Sequence, residues 1–419
     1  MSEKTLQHVD LLVIGGGAAG YFGAITAAQA RPGFRVLIAE RGSQPLAKVR
    51  VSGGGRCNVT HACFEPRPLS TRYPRGARAL LSAFSRFQPA DTVRWFEQRG
   101  VQLKTEADGR MFPTTDASET IIACLQREAT AAGVELRLRC SIETIEPAPD
   151  GSWRATISGA SPYVIQAKRI LLATGGWRDG SLARAIQAAG HDVLAPVPSL
   201  FTFHIEEPWV RSLAGLAVPQ VEVSVSGTKL RETGPVLFTH WGLSGPAILR
   251  ISAWGARDLA ENDYQFNLRL KWSPSNNPET VAQAIQQQRE TQPGKAVENT
   301  PLFQIPARLW EQLVAEAGIE TGERWNQLPR TKALELGALL LQTELPVSGK
   351  SMHKDEFVTC GGISLKQIDF KTMESRLSRG LYFAGEVIDV DGVTGGFNFQ
   401  AAWTTGWLAG HAIAESSAQ

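Results

Sequence analysis

The sequence predicts an α/β fold, a parallel sheet layered with helices and interrupted by a long insertion, and three stretches support this. The first is the uncharged run 11–30, LLVIGGGAAGYFGAITAAQA, in which Gly15, Gly17 and Gly20 follow an apolar strand in the spacing G-x-G-x-x-G. The second is 169–176, RILLATGG, a hydrophobic strand ending in glycines. The third is 380–386, GLYFAGE, a strand ending in glycine and an acid, followed by DVDGVTGGFNFQ (389–400) and a helix through Ala401, Ala402 and Trp403 to Ala409.

Each residue of the first stretch has a physical task. Residues 11–14 form the strand, Gly15 allows a tight turn, and Gly17 lets the backbone approach a pyrophosphate beside Ala18 and Ala19. Gly20 lets the next helix pack closely on the strand. That helix carries Ala24 and Ala28 on one face, and its positive end points at the phosphates. Glu40, followed by Arg41, closes a second strand (35–40) roughly 20 residues beyond the last glycine, where a carboxylate accepts from ribose hydroxyls and favours FAD or NAD over NADP. A lone glycine motif is weak and can be a plain turn; strand, turn, helix, strand and acid together read as a nucleotide site. The run is long enough to cross a bilayer, but its glycines make it a poor span.

The 419 residues are 43% hydrophobic and 20% charged, an ordinary globular composition, and a net charge of +2 demands neither nucleic acid nor an anionic membrane as partner. Locally, Arg67, Arg72, Arg75, Arg78, Arg86, Arg94, Arg99, Lys104 and Arg110 face only Asp91, Glu97, Glu106 and Asp108. This stretch reads either as a solvated face or as a basic rim for a polyanionic substrate. The five cysteines are scattered without metal-ligand spacing, which suits a reduced, cytoplasmic protein with no metal site.

Between these landmarks the chain predicts a glycine-rich loop at 51–60, VSGGGRCNVT, a mainly helical stretch to about residue 100, a helix at 117–132 and a strand at 134–138. A segment at 142–145 and strands at 153–157 and 163–167 then lead into 169–176. From 195 to 349 the pattern changes to strand-like alternation (221–225, 265–270) and then to a Gln-rich helical stretch. The expected division is a discontinuous domain at 1–194 and 350–419, a β-rich insertion at 195–274 and about 342–349, and a small helical subdomain at 275–341.

Four motifs, SGGGRCN (52–58), LFTHWGLSGPAIL (237–249), TMESR (372–376) and GLYFAGEVIDVDGVTGGFNFQAAWTTG (380–406), make the chain similar to the BaiN/RdsA-like (YhiN-type) NAD(P)/FAD-dependent oxidoreductases, a family of bacterial flavoproteins. The resemblance implies a two-dinucleotide-binding-type (Rossmann-like) FAD domain interrupted by a β-barrel-like domain and a small helical subdomain. It implies activities of the kinds associated with the family: reduction of carbon–carbon double bonds, as in dihydrouridine formation in ribosomal RNA or bile-acid reduction, and amine oxidation. Carried onto matching positions, Gly15, Gly17 and Gly20 meet the pyrophosphate, Glu40 the adenosine ribose and Ile142 the adenine. Gly54, Arg56 and Asn58 lie near the flavin, Thr174 and Gly175 support it, and Gly385, Glu386, Gly395, Gly396, Phe397, Asn398 and Gln400 surround the ribityl chain and ring. The last helix directs its positive end at the pyrimidine edge of the flavin.

With FAD as cofactor, hydride chemistry belongs to the flavin, and the protein positions the substrate and supplies a proton. His240, expected to face the flavin from the insertion, is the candidate catalytic residue; its alternative is a histidine packing a turn. Cys57 beside Arg56 reads as an activated thiol or, better, as structural, and its spacing from Cys63 differs from the redox pair of disulfide reductases. Trp403 and Phe399 read as ring covers or as core. No second G-x-G-x-x-G is present, which leaves NADH or NADPH a transient docking role as reductant. Expected partners are a small-molecule or nucleobase substrate and, through the basic stretch, ribosomal RNA. A dihydrouridine synthase, an amine oxidase and a non-catalytic flavin-bearing assembly protein are the competing readings.

Overall fold

The computed structural model describes residues 7–158, 163–177, 179–351 and 358–416, and the chain divides into two compact units, 1–198 with 354–419 and 199–353. The junctions fall at 198/199 and 353/354, beside the boundaries read from sequence at 194/195 and 349/350.

In the first unit, β1 (Gln7–Ile14) runs parallel to β2 (Val36–Ala39) on one side and to the strand Val164–Leu172 on the other, with Leu11 opposite Val36 and Arg169. Glu135–Arg137 extends the parallel sheet beyond β2, and Leu381–Phe383 extends it beyond Val164–Leu172. Leu11, Leu12 and Val13 have no exposed surface, because a parallel sheet is covered on both faces. The strands expected separately at 163–167 and from 169 are one continuous strand, Val164–Leu172. Its first half also pairs antiparallel with Trp153–Ser158, which in turn pairs with Ser141–Pro147.

Helix α1 (Ala18–Ala30) explains the uncharged run, since one face lies on the sheet and another is crossed by the C-terminal helix Phe397–Ser416. The crossing is close. A Cβ on Gly406 would stand 2.6 Å from the carbonyl oxygen of Ala19, and one on Gly410 would stand 2.5 Å from that of Gly23. Small residues on both helices let the backbones touch, so an apolar stretch of membrane length is used inside a protein core. Among the described residues no helix is long and apolar enough to cross a membrane.

The glycine-rich stretch expected as a loop begins as helix α2 (Ala47–Gly55), whose end is broken at Ser52, Gly53 and Gly54. The region to residue 100 contains the expected helices, including Ala77–Phe84 and Pro89–Glu97. It also contributes Thr60–His61 to a small sheet with Arg110–Pro113 and Leu103–Thr105. Strands this short carry no readable periodicity.

The second unit is built on seven antiparallel strands in the order Thr343–Val347, Phe266–Lys271, Ala217–Val225, Arg231–Thr239, Gly242–Ser244, Thr202–His204 and Gly349–Ser351. Its two outermost strands are joined through Ser348 alone, so one corner of each sheet edge lies beside the other. The helices Pro278–Thr291, Ala307–Glu316 and Arg330–Leu341 do not make a core of their own. Their Val281, Trp310 and Leu336 belong to the same hydrophobic cluster as Val221, Leu268 and Leu345 of the sheet. A boundary drawn around 275–341 therefore divides a shared core.

Candidate cofactor-binding site

The first turn shows two glycines that the fold requires and one that it does not. Gly15 has φ +110°, and a Cβ there would stand 2.4 Å from the carbonyl oxygen of Ala173; a Cβ on Gly20 would stand 2.0 Å from that of Gly15. Gly17 differs. No protein atom lies within 4 Å of where its Cβ would be, so this glycine leaves space. It precedes a helix of 13 residues whose N-terminus has no side-chain cap, which leaves the first N–H groups, those of Ala18 and Ala19 among them, directed at that space.

Glu40 directly follows β2. Its Oε2 accepts from the Gly16 N–H at 2.7 Å and its Oε1 from the Gly42 N–H at 2.6 Å, which pins the carboxylate beside the glycine turn while each oxygen retains acceptor capacity. Arg41 is exposed beside it. The Cys140 N–H donates to the Glu40 carbonyl at 2.8 Å, bringing the strand that contains buried Ile142 alongside.

The second glycine loop turns sharply, with Gly53, Gly54, Gly55 and Cys57 all left-handed. Open space surrounds the Cβ directions of Gly54 and Gly55, whereas Gly53 packs against Phe112. Burial pushes the Cys57 thiol up to about 12, so it is a neutral packing group at physiological pH, and the activated-thiol alternative falls. All five cysteines are free thiols. Arg56 lies over the Phe112 ring at 4.1 Å and bonds Glu106 at 2.7 Å, so its guanidinium is anchored at one side of the loop. Asn58, its amide oriented by the hydrogen-bond network, donates to the Thr60 carbonyl at 3.0 Å and accepts from the Gly396 N–H at 2.9 Å. That pair joins the second loop to the C-terminal one.

At the C-terminal side, Glu386 Oε1 accepts from the Thr359 N–H at 2.7 Å and Oε2 from Lys48 Nζ at 2.5 Å. Gly175 and Gly176, at the end of Val164–Leu172, flank this carboxylate, and Thr174 beside them is exposed. Gly385 donates to Thr405 Oγ1 at 2.9 Å, and Asn398 clasps both backbone groups of Gly392 at 2.8 Å. Gly396 must be glycine because a Cβ would stand 2.5 Å from the Thr60 carbonyl oxygen; Gly395 has φ +125°. The Phe397 carbonyl accepts from the buried Tyr73 hydroxyl at 2.6 Å.

One expectation is corrected, and for Trp403 the core alternative holds. Gln400 does not present its side chain to a ligand: it is fully buried, its Oε1 accepting from Thr60 and Thr92 at 2.6 and 2.9 Å and its Nε2 donating to Thr404 at 3.0 Å. Trp403 is core, with its indole N–H on the Val59 carbonyl at 2.9 Å, and Phe399 stacks on it. Gln400 and Trp403 lie on the face of the helix turned to the interior.

Sequence reasoning missed Lys48 and Thr359, which bind Glu386, and His61, Tyr73, Arg75 and Asp391, which hold the segment 391–397 in place. Each is distant in sequence from the group it serves, so only the charge of Lys48, Arg75 and Asp391 was visible. Five of the nine cations of the basic stretch form ion pairs: Arg75 with Asp391, Arg94 with Asp91, Arg99 with Glu128, Lys104 with Asp116 and Arg110 with Asp108. Arg67, Arg72 and Arg78 are exposed. His240 lies in the second unit, exposed at the turn between Arg231–Thr239 and Gly242–Ser244, where Thr239 Oγ1 donates to the Gly242 carbonyl at 3.0 Å.

An open glycine at an uncapped helix start, a pinned acid after the second strand and a second acid beside the returning strand fit a flavin dinucleotide. Together with the parallel sheet they define a Rossmann-type FAD-dependent oxidoreductase. The chain belongs to the HI0933-like protein Rossmann domain family, which matches residues 9–412. It is 31% identical to the ribosomal RNA dihydrouridine synthase of Escherichia coli (strain K12), over 96% of this chain and 97% of that one. It is 26% identical to the 3-dehydro-bile acid delta(4,6)-reductase of Clostridium scindens, over 96% of this chain and 98% of that one. Among solved structures it shares its fold with the 3-ketosteroid-delta4-(5alpha)-dehydrogenase of Rhodococcus jostii RHA1, with a TM-score of 0.53, 15% identity and coverage of 99% and 98%.

Proposed function

We propose that this protein reduces a polarised carbon–carbon double bond in an organic or nucleobase substrate, with uracil in ribosomal RNA the substrate class best supported. The observation that carries this reading is the full-length similarity to two proteins named ribosomal RNA dihydrouridine synthases, at 31% and 28% identity, and to a delta(4,6)-reductase. These differ in substrate, and the change each name describes concerns a double bond beside a carbonyl.

Bound FAD would supply hydride transfer through its N5. The chain's own residues would do the rest. Gly15, Gly17, Ala18, Ala19 and Gly20 receive the pyrophosphate, Glu40 and Arg41 the adenosine ribose, and Ile142 the adenine. Gly54, Arg56, Asn58, Thr174, Gly175, Gly385, Glu386, Gly395, Gly396, Phe397 and Asn398 form the remainder of the cradle, which Gln400 positions from inside. The positive end of the last helix favours negative charge at the pyrimidine edge. NADH or NADPH serves as the reductant, and His240 remains the candidate for substrate contact or proton transfer.

The test is anaerobic reduction of the purified yellow protein by NADH and by NADPH, followed by single turnover with ribosomal RNA, free uridine and a steroid enone, with product mass as the readout. A product carrying two added hydrogens supports the reading. Rapid bleaching without any hydrogenated product, or rapid turnover of amines under air, overturns it.

A further inference from the structure

We propose that His61 is a positioning residue that braces the turn at residues 395–397, and that only its neutral ring can do so. The proposal rests on the cofactor reading above, since this turn is the one assigned to the flavin ring.

The His61 ring stacks on Phe397 with centroids 4.7 Å apart and an interplanar angle of 22°. Its Cδ2 lies 3.6 Å from where a Cβ on Gly395 would stand, and its Cε1 lies 2.5 Å from where one on Gly109 would stand. A flat ring therefore fills a slot between two glycines and the first residue of the last helix. Its protonation is decided by its partners. Nε2 lies 3.1 Å from the Asp108 carbonyl oxygen, which only accepts, so Nε2 carries the hydrogen. Nδ1 is sealed from solvent and has no hydrogen-bond partner among the described residues.

Adding a proton at Nδ1 would create a charged donor with nothing to accept from it, so the ring must leave its slot to be solvated. The charged groups facing it are Asp108 and Arg110 at the neighbouring turn and Arg72 beyond the helix Pro66–Ser70. Burial dominates and, with the two arginines, holds His61 below the usual histidine range, against the pull of Asp108. The carboxylate of Asp108 is itself bound by Arg110 at 2.7 Å. Acid should thus loosen the turn and release Phe397.

The experiment follows amide hydrogen exchange at 395–397 in the cofactor-free protein between about pH 5 and 8, corrected for intrinsic rates, beside NMR titration of the His61 ring. Exchange should accelerate about tenfold in step with that titration. His61→Phe, which keeps the stack and cannot titrate, should abolish the acid acceleration and bind FAD within about twofold of the wild type at neutral pH. His61→Ala should exchange fast at every pH and bind FAD about tenfold more weakly. Titration of His61 without any change in exchange, or an acid step that survives in His61→Phe, overturns the proposal. Exchange that follows the titration while FAD affinity ignores it would instead remove the turn from the cofactor site and leave the brace standing.

Discussion

Arg75 and Asp391 lie 316 positions apart and form a two-pronged ion pair, Nε on Oδ1 at 2.5 Å and Nη2 on Oδ2, with no exposed surface on the carboxylate. The pair ties the helical region after the second glycine loop to the segment that leads into Gly395 and Gly396. Removing one partner leaves a buried charge. Arg75→Ala should cost about 3 to 5 kcal/mol in urea unfolding, while the double replacement Arg75→Met with Asp391→Leu should recover much of it. Equal losses in the single and double variants would contradict this account.

The glycine turn yields a contrast between two similar substitutions. Gly20→Ala collides with the Gly15 carbonyl and should lower thermal stability by several degrees. Gly17→Ala meets no protein atom, so it should keep wild-type stability and lose FAD affinity by about tenfold or more. Fluorescence titration with FAD beside thermal melts separates the two, and normal FAD binding by Gly17→Ala would remove that glycine from the pyrophosphate site.

Cys57 should resist alkylation. Its thiol is buried and pushed up to about 12, so at about pH 8 almost none is thiolate, and modification should occur only on unfolding. Peptide mapping after iodoacetamide treatment, with and without urea, reads this directly. Labelling of Cys57 in the folded protein at the rate of a free thiol would argue for a loop far more open than described.

Stability should fall on the acid side through His191. Its Nε2 lies 2.7 Å from Ser375 Oγ, which already accepts from the Leu377 and Ser378 N–H groups, so the hydroxyl donates to Nε2 and the neutral ring's other nitrogen donates to the Ile186 carbonyl at 3.3 Å. Burial holds its folded-state value below 6.5. The unfolded chain therefore binds the proton first. The stabilisation is full above 6.5 and is lost as the pH falls from 6.5 through the folded value. Urea midpoints at about pH 5 and 8 should differ less in His191→Gln than in the wild type; identical shifts would assign the acid loss elsewhere.

Glu386→Gln keeps an acceptor for the Thr359 N–H and removes the ion pair with Lys48. Lys48 is half-exposed, so the loss in stability should be small. If the carboxylate accepts from ribityl hydroxyls, FAD affinity should fall about tenfold. Unchanged affinity in calorimetry would show that the acid serves the loops alone.

The local elements of the first unit were readable because their causes are local. An apolar strand before Gly15, Gly17 and Gly20, an acid at the end of the next strand and the glycines after Leu172 impose their conformations on neighbouring residues. The short strands Thr60–His61 and Leu103–Thr105 were not readable, since two or three residues hold no pattern and form only because Arg110–Pro113 lies between them. The continuous core joining Trp310 and Leu336 to Leu268 was hidden for the same reason: an amphipathic helix announces a buried face without naming what covers it.

Motif spacing by itself determined that nucleotide-type turns sit near both ends of the chain, because glycine spacing and strand-end acids act within a few residues. Only tertiary structure decided which groups remain available to a ligand. Gln400 and Gly17 were equal candidates in the sequence, yet one is enclosed by Thr60, Thr92 and Thr404 and the other has no protein atom against its Cβ direction. Enclosure is a property of segments hundreds of positions apart brought together by burial of apolar surface, and no local pattern encodes it.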